Sequence, residues 1–372
     1  MMSVALAACF VLGALGGHST AAQRAAAGKT PDNFSFPRDD GAHPGSRLEW
    51  WRLFGHLRAG KRRFDFTVIF FRFAIPPNSR GSRAKNSRWL RPNLYPAAFG
   101  FVDEARRRFV SATVFDRQAL GFGSAAVGRL DVRSGTWILK GSRATGWRAQ
   151  RLRLHVDAAD TVLDIIQVPM KKPVPLGTGG VPQTGSCATC FSRAYAYTRL
   201  SVRGSATFHG RRYALTGLSW FEHEFGNQEI ERDDAGWDRF AIQFDDGRDL
   251  WLRVVRRRDG SRSPASGGLL VEPDGRSRRL RASDFTVLNP LATHFRSPHS
   301  GASYPSLWEI FVPGANLDLA VVPSVVDQEI QTQQRGAAFF EGSVDVERAP
   351  PPGGDRGLGF VELTGYAKAL SL

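Results

Sequence analysis

The two halves of this 372-residue chain carry the same short motifs in the same order. Leu163-Asp164 precedes Val168-Pro169 in the first half, and Leu317-Asp318 precedes Val322-Pro323 at the same spacing in the second. A Leu-Thr-Gly segment and a series of Trp, Gly and Arg recur as well. They lie at Leu215–Gly217 and Leu363–Gly365, and at Trp51, Gly60, Arg72 and Trp237, Gly247, Arg256. Because a period of about half the chain is too long for a solenoid, it predicts two duplicated domains in tandem.

Segments of alternating polar and apolar residues, separated by turns, fill most of the chain. Examples are Arg63–Phe73, Arg199–His209 and Asp249–Arg256. Short strands at intervals of about 8 to 12 residues are typical of all-β barrels and sandwiches. The 26 Phe, 9 Trp and 39 Gly, beside only 3 Met, agree with strands and turns. A short helix is expected only within residues 116–127.

The first 33 residues are predicted to be a signal peptide and a flexible leader. Met1–Gly17 is apolar, and Ser19–Ala22 offers small residues for cleavage. Leu6-Ala-Ala-Cys9 is similar to a bacterial lipobox, but the apolar run continues past Cys9, which favours plain export over lipid anchoring. No later window of about 18 apolar residues follows. We therefore expect a soluble periplasmic or extracellular protein.

The formal net charge of +15 leaves three classes of partner open. A basic surface attracts nucleic acids, anionic membranes and acidic ligands. Export argues against a nucleic-acid partner, and the arginines are scattered along strands instead of forming a patch. Peripheral attraction to an anionic envelope surface stays open as an alternative.

Cys187 and Cys190 are the cysteines that remain after signal removal. In an oxidising compartment this pair predicts a small local disulfide in a loop. A zinc site would need two more ligands, and the sequence has no second C-x-x-C. The chain also lacks the G-x-S-x-G, H-E-x-x-H and G-x-x-x-x-G-K-[ST] motifs of hydrolases and nucleotide-binding proteins. We expect neither a cofactor nor a metal.

A first cluster of polar and aromatic residues lies near the start of the predicted first domain. It contains His43, the run Glu49-Trp50-Trp51, and Arg72 at the end of an apolar strand. Because side chains alternate along a strand, Trp50 and Trp51 face opposite sides. Glu49 and Arg72 are candidates for a buried ion pair. The cluster either lines a pocket or closes the base of a barrel.

A second cluster, Glu222-His223-Glu224, lies between Trp220 and Trp237. Alternation places Glu222 and Glu224 on one face of a strand and His223 on the other. Two carboxyl groups in an apolar cavity raise the pKa of one of them, which leaves a neutral acid at pH 7. The cluster is therefore either an acid–base centre or a buried polar network that joins the two domains.

Together these motifs resemble the family of carotenoid 1,2-hydratases and their lipocalin-like, AttH-like "predicted secreted hydrolase" relatives. The resemblance rests on His43-Pro, Glu49-Trp-Trp, Tyr195-Ala-Tyr197, Trp220-Phe-Glu-His-Glu-Phe-Gly226, Gly236-Trp-Asp238, Phe339-Phe-Glu-Gly342 and Val361-Glu-Leu-Thr-Gly-Tyr366. It implies an all-β fold of two tandem lipocalin-like β-barrels, which we place at residues 34–218 and 219–372. Members of the family include hydratases of carotenoid end groups and fungal pericyclases.

The resemblance implies hydro-lyase chemistry on a hydrophobic unsaturated small molecule: a carotenoid, a terpenoid or a lipid. Glu222 would donate the proton, and His223 and Glu224 would tune it or orient water, in an apolar pocket near the domain junction. The residues expected to bind the substrate are His43, Glu49, Trp50, Trp51, Arg72, Tyr195, Tyr197, Trp220 and Trp237.

The sequence departs from the family's usual pattern at three positions. Arg52 follows Trp51 where the family has Tyr, Glu222 replaces Asp, and Arg239 replaces Trp. Two other functions remain open. One is a non-catalytic periplasmic carrier of a lipid or other hydrophobic ligand, and the other is a secreted hydrolase.

Overall fold

The computed structural model describes residues 34–74, 93–118, 121–143, 146–158, 160–177, 192–226, 233–290, 293–332, 338–349 and 355–368. These residues form antiparallel sheets connected by turns and short 3-10 segments, and no α-helix occurs among them. The predicted all-β fold of two tandem lipocalin-like barrels is confirmed, with a nearly closed first barrel and a half-barrel in the second domain. Within these ranges no helix is long and apolar enough to cross a membrane.

The first domain is a 12-stranded antiparallel sheet. Its strands are β1 (Leu48–Ala59), β2 (Arg62–Ala74), β3 (Asn93–Asp103), β4 (Arg108–Arg117), β5 (Gly123–Ala125), β6 (Asp131–Ser134), β7 (Trp137–Gly141), β8 (Leu152–Ala158), β9 (Thr161–Pro169), β10 (Val174–Pro175), β11 (Ser192–Phe208) and β12 (Arg211–Gly226). Their spatial order is β4-β3-β2-β1-β12-β11-β9-β8-β7-β6-β5, and β10 pairs with β11. The first strand, β1, therefore lies beside the last, β12. The segment expected to be helical instead contains β5.

The second domain is a 10-stranded antiparallel sheet with a separate two-stranded ribbon. Its strands are β13 (Asp234–Phe244), β14 (Asp249–Arg257), β15 (Gly267–Val271), β16 (Ser277–Arg281), β17 (Thr286–Leu288), β18 (His294–Arg296), β19 (Ser303–Pro305), β20 (Trp308–Val312), β21 (Leu317–Pro323), β22 (Glu329–Gln331), β23 (Ala338–Arg348) and β24 (Arg356–Leu363). The order of the large sheet is β16-β15-β14-β13-β24-β23-β21-β20-β17, and β22 pairs with β23. Here too the first strand lies beside the last.

The corresponding strands of the two sheets, from β4 to β8 and from β16 to β20, follow the same order. The repeated sequence motifs lie on equivalent strands. The Leu-Asp to Val-Pro motif lies on β9 and on β21. The Leu-Thr-Gly segment lies in β12 and at the end of β24. A Cβ atom on Gly217 would overlap the carbonyl oxygen of His56 in β1, and one on Gly365 would overlap that of Ala235 in β13. Both glycines are therefore required where the last strand crosses the first.

The two barrels pack against each other through the outer faces of their sheets. Each barrel has its own apolar interior. A third apolar cluster lies between them and joins Phe54 and Trp220 of the first domain to Trp251 and Phe360 of the second. The change of sheet falls after Gly226, whereas the predicted boundary at residues 218/219 divides β12. Residues 219–226 belong to the first sheet because they continue the pairing of β12 with β1.

Candidate active site

Strand alternation divides the predicted site residues between two faces of the first sheet. On β12, His223 points into the barrel and stacks on Trp51 of β1, with ring centroids 4.8 Å apart. Glu222 and Glu224 point outward and contact Arg239 of the second domain. The structure therefore contains an interior group around His223 and a separate junction group around Glu222.

Glu49 is the centre of the interior group. Its Oε1 atom lies 2.8 Å from Nδ1 of His43 and 2.9 Å from Nε2 of His223. Its Oε2 atom accepts a hydrogen bond from Nε of Arg72 at 2.8 Å, so the expected Glu49–Arg72 ion pair is present and buried. Burial raises the pKa of Glu49, but hydrogen bonds from His223 and His43 and the charge of Arg72 outweigh burial and hold the pKa below its ordinary range.

The two ring nitrogens of His223 both face acceptors. Nδ1 lies 2.9 Å from the carbonyl oxygen of Asp39, which only accepts, so this nitrogen carries a hydrogen. Nε2 and Glu49 Oε1 cannot both accept at 2.9 Å, so one more proton lies between them. Burial lowers the pKa of His223, against the opposing effect of Glu49. The His223–Glu49 pair therefore holds a proton that can move between a ring nitrogen and a carboxylate.

His43 connects this pair to the outside of the barrel. Its side chain is 22% exposed, and its ring stacks on Phe225 with centroids 3.5 Å apart. Burial lowers the pKa of His43, but hydrogen bonds to Asp39 and Glu49 outweigh it, and the net result is a raised pKa. His43 is thus placed to exchange protons between solvent and Glu49.

Two adjacent acids, Asp39 and Asp40, complete the interior group and were missed by the sequence analysis. They lie in a 3-10 turn ahead of β1, a short polar segment without any periodic signal. Tyr195 donates its hydroxyl hydrogen bond to Asp40 Oδ1, and Gln150 donates to Oδ2 at 3.3 Å. Burial raises the pKa of Asp40 to about 7, against the lowering effect of Tyr195. Asp40 is therefore a carboxyl group that is partly protonated at neutral pH.

Aromatic side chains surround these polar groups. Tyr195 packs against Phe34, Phe36 and Tyr197, with ring centroids 4.8 to 6.0 Å apart. The hydroxyl of Tyr197 is buried and has no hydrogen-bond partner within the described ranges. A buried hydroxyl without a partner is costly, so this group is available to a ligand. The interior group combines an acid, a proton-holding pair and an apolar aromatic wall.

The junction group is a ring of alternating charges. Arg52 Nη1 lies 3.4 Å from Glu222 Oε2 and 3.6 Å from Glu362 Oε2. Arg239 Nη1 lies 3.4 Å and 3.1 Å from the same two atoms. Arg52 also donates to Glu341 from Nε at 2.7 Å. The four Nη1 contacts form a ring that joins the two domains. This arrangement corresponds to the buried polar network that the sequence analysis named as one alternative.

Two further side chains bring the buried charge of the junction close to balance. Glu224 Oε2 lies 3.2 Å from Arg239 Nη2, and Arg253 lies near Glu224. The four carboxyl groups then face three guanidinium groups, Arg52, Arg239 and Arg253. Burial raises the pKa of Glu341, against the lowering effect of the charge of Arg52.

The remaining tryptophans of the predicted site belong to the junction. Trp50 lies beneath the guanidinium of Arg239, at 5.7 Å from the ring centroid. Trp237 donates to Glu362 Oε1 at 2.7 Å, and Trp220 stacks on Phe54. Where the sequence analysis expected an apolar pocket, the described residues form a packed apolar cluster beside the charged ring. Cys187 and Cys190 lie outside the described residues.

Two groups of side chains among the described residues bring three metal-ligating atoms within 4.8 Å of one another. One is His43, Glu49 and His223. Each of its ligand atoms already has a hydrogen-bond partner, and Arg72 adds a positive charge, so proton transfer fits this group better than a cation. The other group, on the outer face, is His56, Asp65 and Glu104.

The AttH-like family matches residues 27–366. The chain belongs to the AttH-like family. The sequence has no significant match among curated proteins.

Two solved structures share the fold. A structure identified as AttH from Nitrosomonas europaea is 26% identical, with a TM-score of 0.77 over 90% of this chain and 97% of its own. Kievitone hydratase from Nectria haematococca is 14% identical, with a TM-score of 0.69 over 91% of this chain and 94% of its own. The second likeness concerns the fold alone.

The three positions that the sequence analysis singled out as departures from the resemblance, Arg52, Glu222 and Arg239, meet in the junction ring. Arg52 and Arg239 replace aromatic residues, and Glu222, which replaces Asp, contacts both of them at 3.4 Å. A buried arginine needs a carboxylate beside it, so Arg52 and Arg239 both depend on Glu222. The interior group keeps the motif residues His43, Glu49, Trp51 and His223.

Proposed function

We propose that this AttH-like protein is a hydratase-type acid–base enzyme that acts on a hydrophobic unsaturated molecule in the interior of the first barrel. The observation that carries the proposal is Asp40. Its pKa of about 7, raised by burial, makes it an acid that both holds and releases a proton at neutral pH. The aromatic wall around Tyr195 and Tyr197 suits an apolar substrate.

Hydration of a carbon–carbon double bond needs a proton on one carbon and water on the other. Asp40 gives its proton to the first carbon, and the π electrons form the new C–H bond. The positive charge that develops on the second carbon is stabilised by the faces of Trp51 and Tyr195. Water then adds to that carbon. The His223–Glu49 pair already holds a proton, so as it takes up the extra proton of the water it releases the hydrogen on Nδ1 of His223 to the hydroxyl of Tyr195. The same steps in reverse would dehydrate the product.

The proton can return to Asp40 through Tyr195. The hydroxyl of Tyr195 donates to Asp40 and lies 3.4 Å from Nδ1 of His223. His43, partly exposed, restores any proton lost from Glu49 to solvent. In this scheme Glu222 and Glu224 hold the two domains together through the junction ring, and they do not touch the substrate.

The substrate class that fits best is a polyene, a terpenoid or an unsaturated lipid, encountered after export to the periplasm or the cell exterior. The shared fold with kievitone hydratase agrees with hydratase chemistry, but the proposal rests on Asp40 and its neighbours. The unpartnered hydroxyl of Tyr197 also fits a carrier that binds the same molecule without changing it.

A mass measurement separates the enzyme from the carrier. Native mass spectrometry of the purified protein identifies any co-purified hydrophobic ligand, and that ligand is then incubated with fresh protein in ¹⁸O-labelled water. We expect wild type to form a product that is heavier than the ligand by one ¹⁸O atom and two hydrogens. His223→Gln should not form it. A ligand that is bound tightly and recovered unchanged from wild type would establish the carrier instead.

A further inference from the structure

A second cluster of ligating side chains lies on the outer face of the first sheet, at the edge of the domain junction. His56 of β1 lies directly opposite Asp65 of β2, and Nδ1 of the histidine is 2.7 Å from Oδ1 of the aspartate. Glu104 follows β3, and one ligand atom from each of the three residues lies within 4.8 Å of the others. The cluster faces away from the barrel interior and takes no part in the proposed reaction.

Each of the three side chains has a buried polar atom without a partner in the described part of the chain. These atoms are Nε2 of His56, Oδ2 of Asp65 and Oε1 of Glu104. His56 is 9% exposed and Asp65 is fully buried. Oδ2 of Asp65 and Oε1 of Glu104 belong to carboxyl groups in contact with each other, so either a proton or a cation must lie between the two groups.

The charges around the cluster identify the kind of group. Asp65, Glu104 and Asp345 of the second domain are carboxyl groups, and Arg63 pairs with two of them. Its guanidinium lies 2.9 Å from Glu104 Oε2 and 2.9 Å from Asp345 Oδ1. Burial and the charge of Asp65 raise the pKa of Glu104, so a cation that binds here displaces a proton. With all three carboxyl groups ionised and His56 neutral, the carboxylates exceed the charge of Arg63 by two. A divalent cation would offset this excess.

The donor atoms identify the class of cation. One imidazole nitrogen and two carboxylate oxygens suit Zn²⁺ and similar divalent transition metals. Nδ1 is the ring nitrogen of His56 that faces Asp65, so it is the atom that would share a cation with that carboxylate. We propose that His56, Asp65 and Glu104 form a structural site for a divalent transition-metal cation, with Zn²⁺ as its first probe.

A cation can reach the site from solvent. The side chains of Glu104, Arg63 and Asp345 are 16%, 32% and 46% exposed, so the cluster is open on the side of the second domain. Arg63 connects Glu104 to Asp345, so a bound cation that orders Glu104 also strengthens a contact between the two domains. The expected effect is on stability and not on turnover.

The test uses the full-length mature protein, stripped with a chelator and then titrated with Zn²⁺ by calorimetry and thermal melting. We expect one Zn²⁺ per chain and a higher melting temperature. His56→Ala and Glu104→Gln should each weaken binding by about tenfold or more. His155→Ala is the matched control, because His155 forms a similar 2.7 Å pair with Asp164 but has no third ligand among the residues that the structure describes. Its binding should equal that of wild type.

Two results would overturn the metal site. The first is the absence of Zn²⁺ binding in wild type, together with a higher melting temperature for Glu104→Gln, which would mean that Asp65 and Glu104 share a proton. The second is binding that persists in both His56→Ala and Glu104→Gln. Co²⁺ substitution then locates the metal, since sulfur-to-metal absorption would place it at Cys187 and Cys190.

Discussion

Arg52 and Arg239 occupy equivalent positions in the two duplicated sheets. Each lies on the first strand of its sheet and directly opposite a glutamate of the last strand, Glu222 for Arg52 and Glu362 for Arg239. Each arginine also contacts the glutamate of the other domain, so Arg52 and Arg239 both contact Glu222 and Glu362, at 3.1 to 3.6 Å. The two domains therefore meet through matching surfaces, as the subunits of a twofold dimer do.

Loss of Arg52 should destabilise the whole protein. Arg52→Met leaves Glu341 buried without its arginine partner and removes one of the two arginines that contact Glu222, so the free energy of unfolding should fall by about 3–5 kcal/mol. Denaturant titration measures this change. Arg276→Met is the control, because Arg276 forms an exposed pair with Asp274 that should contribute less than about 1 kcal/mol.

The same ring predicts that a second change offsets part of the first. Arg52→Met combined with Glu341→Leu removes both the cation and its carboxylate, so the double variant should be more stable than Arg52→Met alone. Glu341→Leu alone completes the comparison. A loss of stability in the double variant equal to the sum of the losses in the two single variants would mean that the ring does not couple these residues.

The glycine of the repeated Leu-Thr-Gly motif gives a prediction about the duplicated fold. A methyl group on Gly217 meets the backbone of His56, so Gly217→Ala should lower the free energy of unfolding by about 1–3 kcal/mol. Gly45→Ala is the control, because no atom of the described residues lies within 4 Å of a Cβ there. Its effect should stay within about 0.5 kcal/mol. Similar losses in both variants would contradict the close crossing of β12 and β1.

The fold could be predicted from the sequence because duplication and strand alternation are local signals. The alternation around His223 also separates the interior residue from Glu222 and Glu224. What the sequence could not show was the partner of each face. Asp40 lies in a turn without periodicity, and it meets Tyr195 only after the chain closes the barrel. The arginines that surround Glu222 come from β1 and β13, so its environment depends on the packing of the two domains.

Tyr197 provides a prediction in which stability and binding change in different directions. Tyr197→Phe removes a buried hydroxyl without a partner, so the melting temperature should stay the same or rise. Affinity for the hydrophobic ligand should fall by about tenfold, the worth of one hydrogen bond.

Tyr213→Phe is the matched control for Tyr197→Phe. The hydroxyl of Tyr213 accepts a hydrogen bond from Arg62 at 2.8 Å, so its loss should reduce stability by about 0.5–1.5 kcal/mol and leave ligand binding unchanged. A wild-type affinity in Tyr197→Phe would remove its hydroxyl from the binding site.

Asp40 should make stability depend on pH. Its pKa of about 7 in the folded protein lies above the ordinary value of 3.8, so the folded state binds an additional proton between these values. The stability that protonated Asp40 contributes is complete below about pH 4 and is lost as the pH rises to about 7. Melting curves of wild type and Asp40→Asn should therefore diverge across this range. Parallel curves would mean that Asp40 ionises normally.

Turnover of the ligand identified by mass spectrometry decides whether the chemistry lies inside the first barrel or at the domain junction. Asp40→Asn keeps the size of the side chain and removes its acidic proton, and the rate should fall by about 10²-fold or more. Glu222→Gln should keep a rate near that of wild type while its melting temperature falls, because Glu222 contacts Arg52 and Arg239. A large loss of turnover in a folded Glu222→Gln variant, with Asp40→Asn unaffected, would contradict the account and place the acid at the junction.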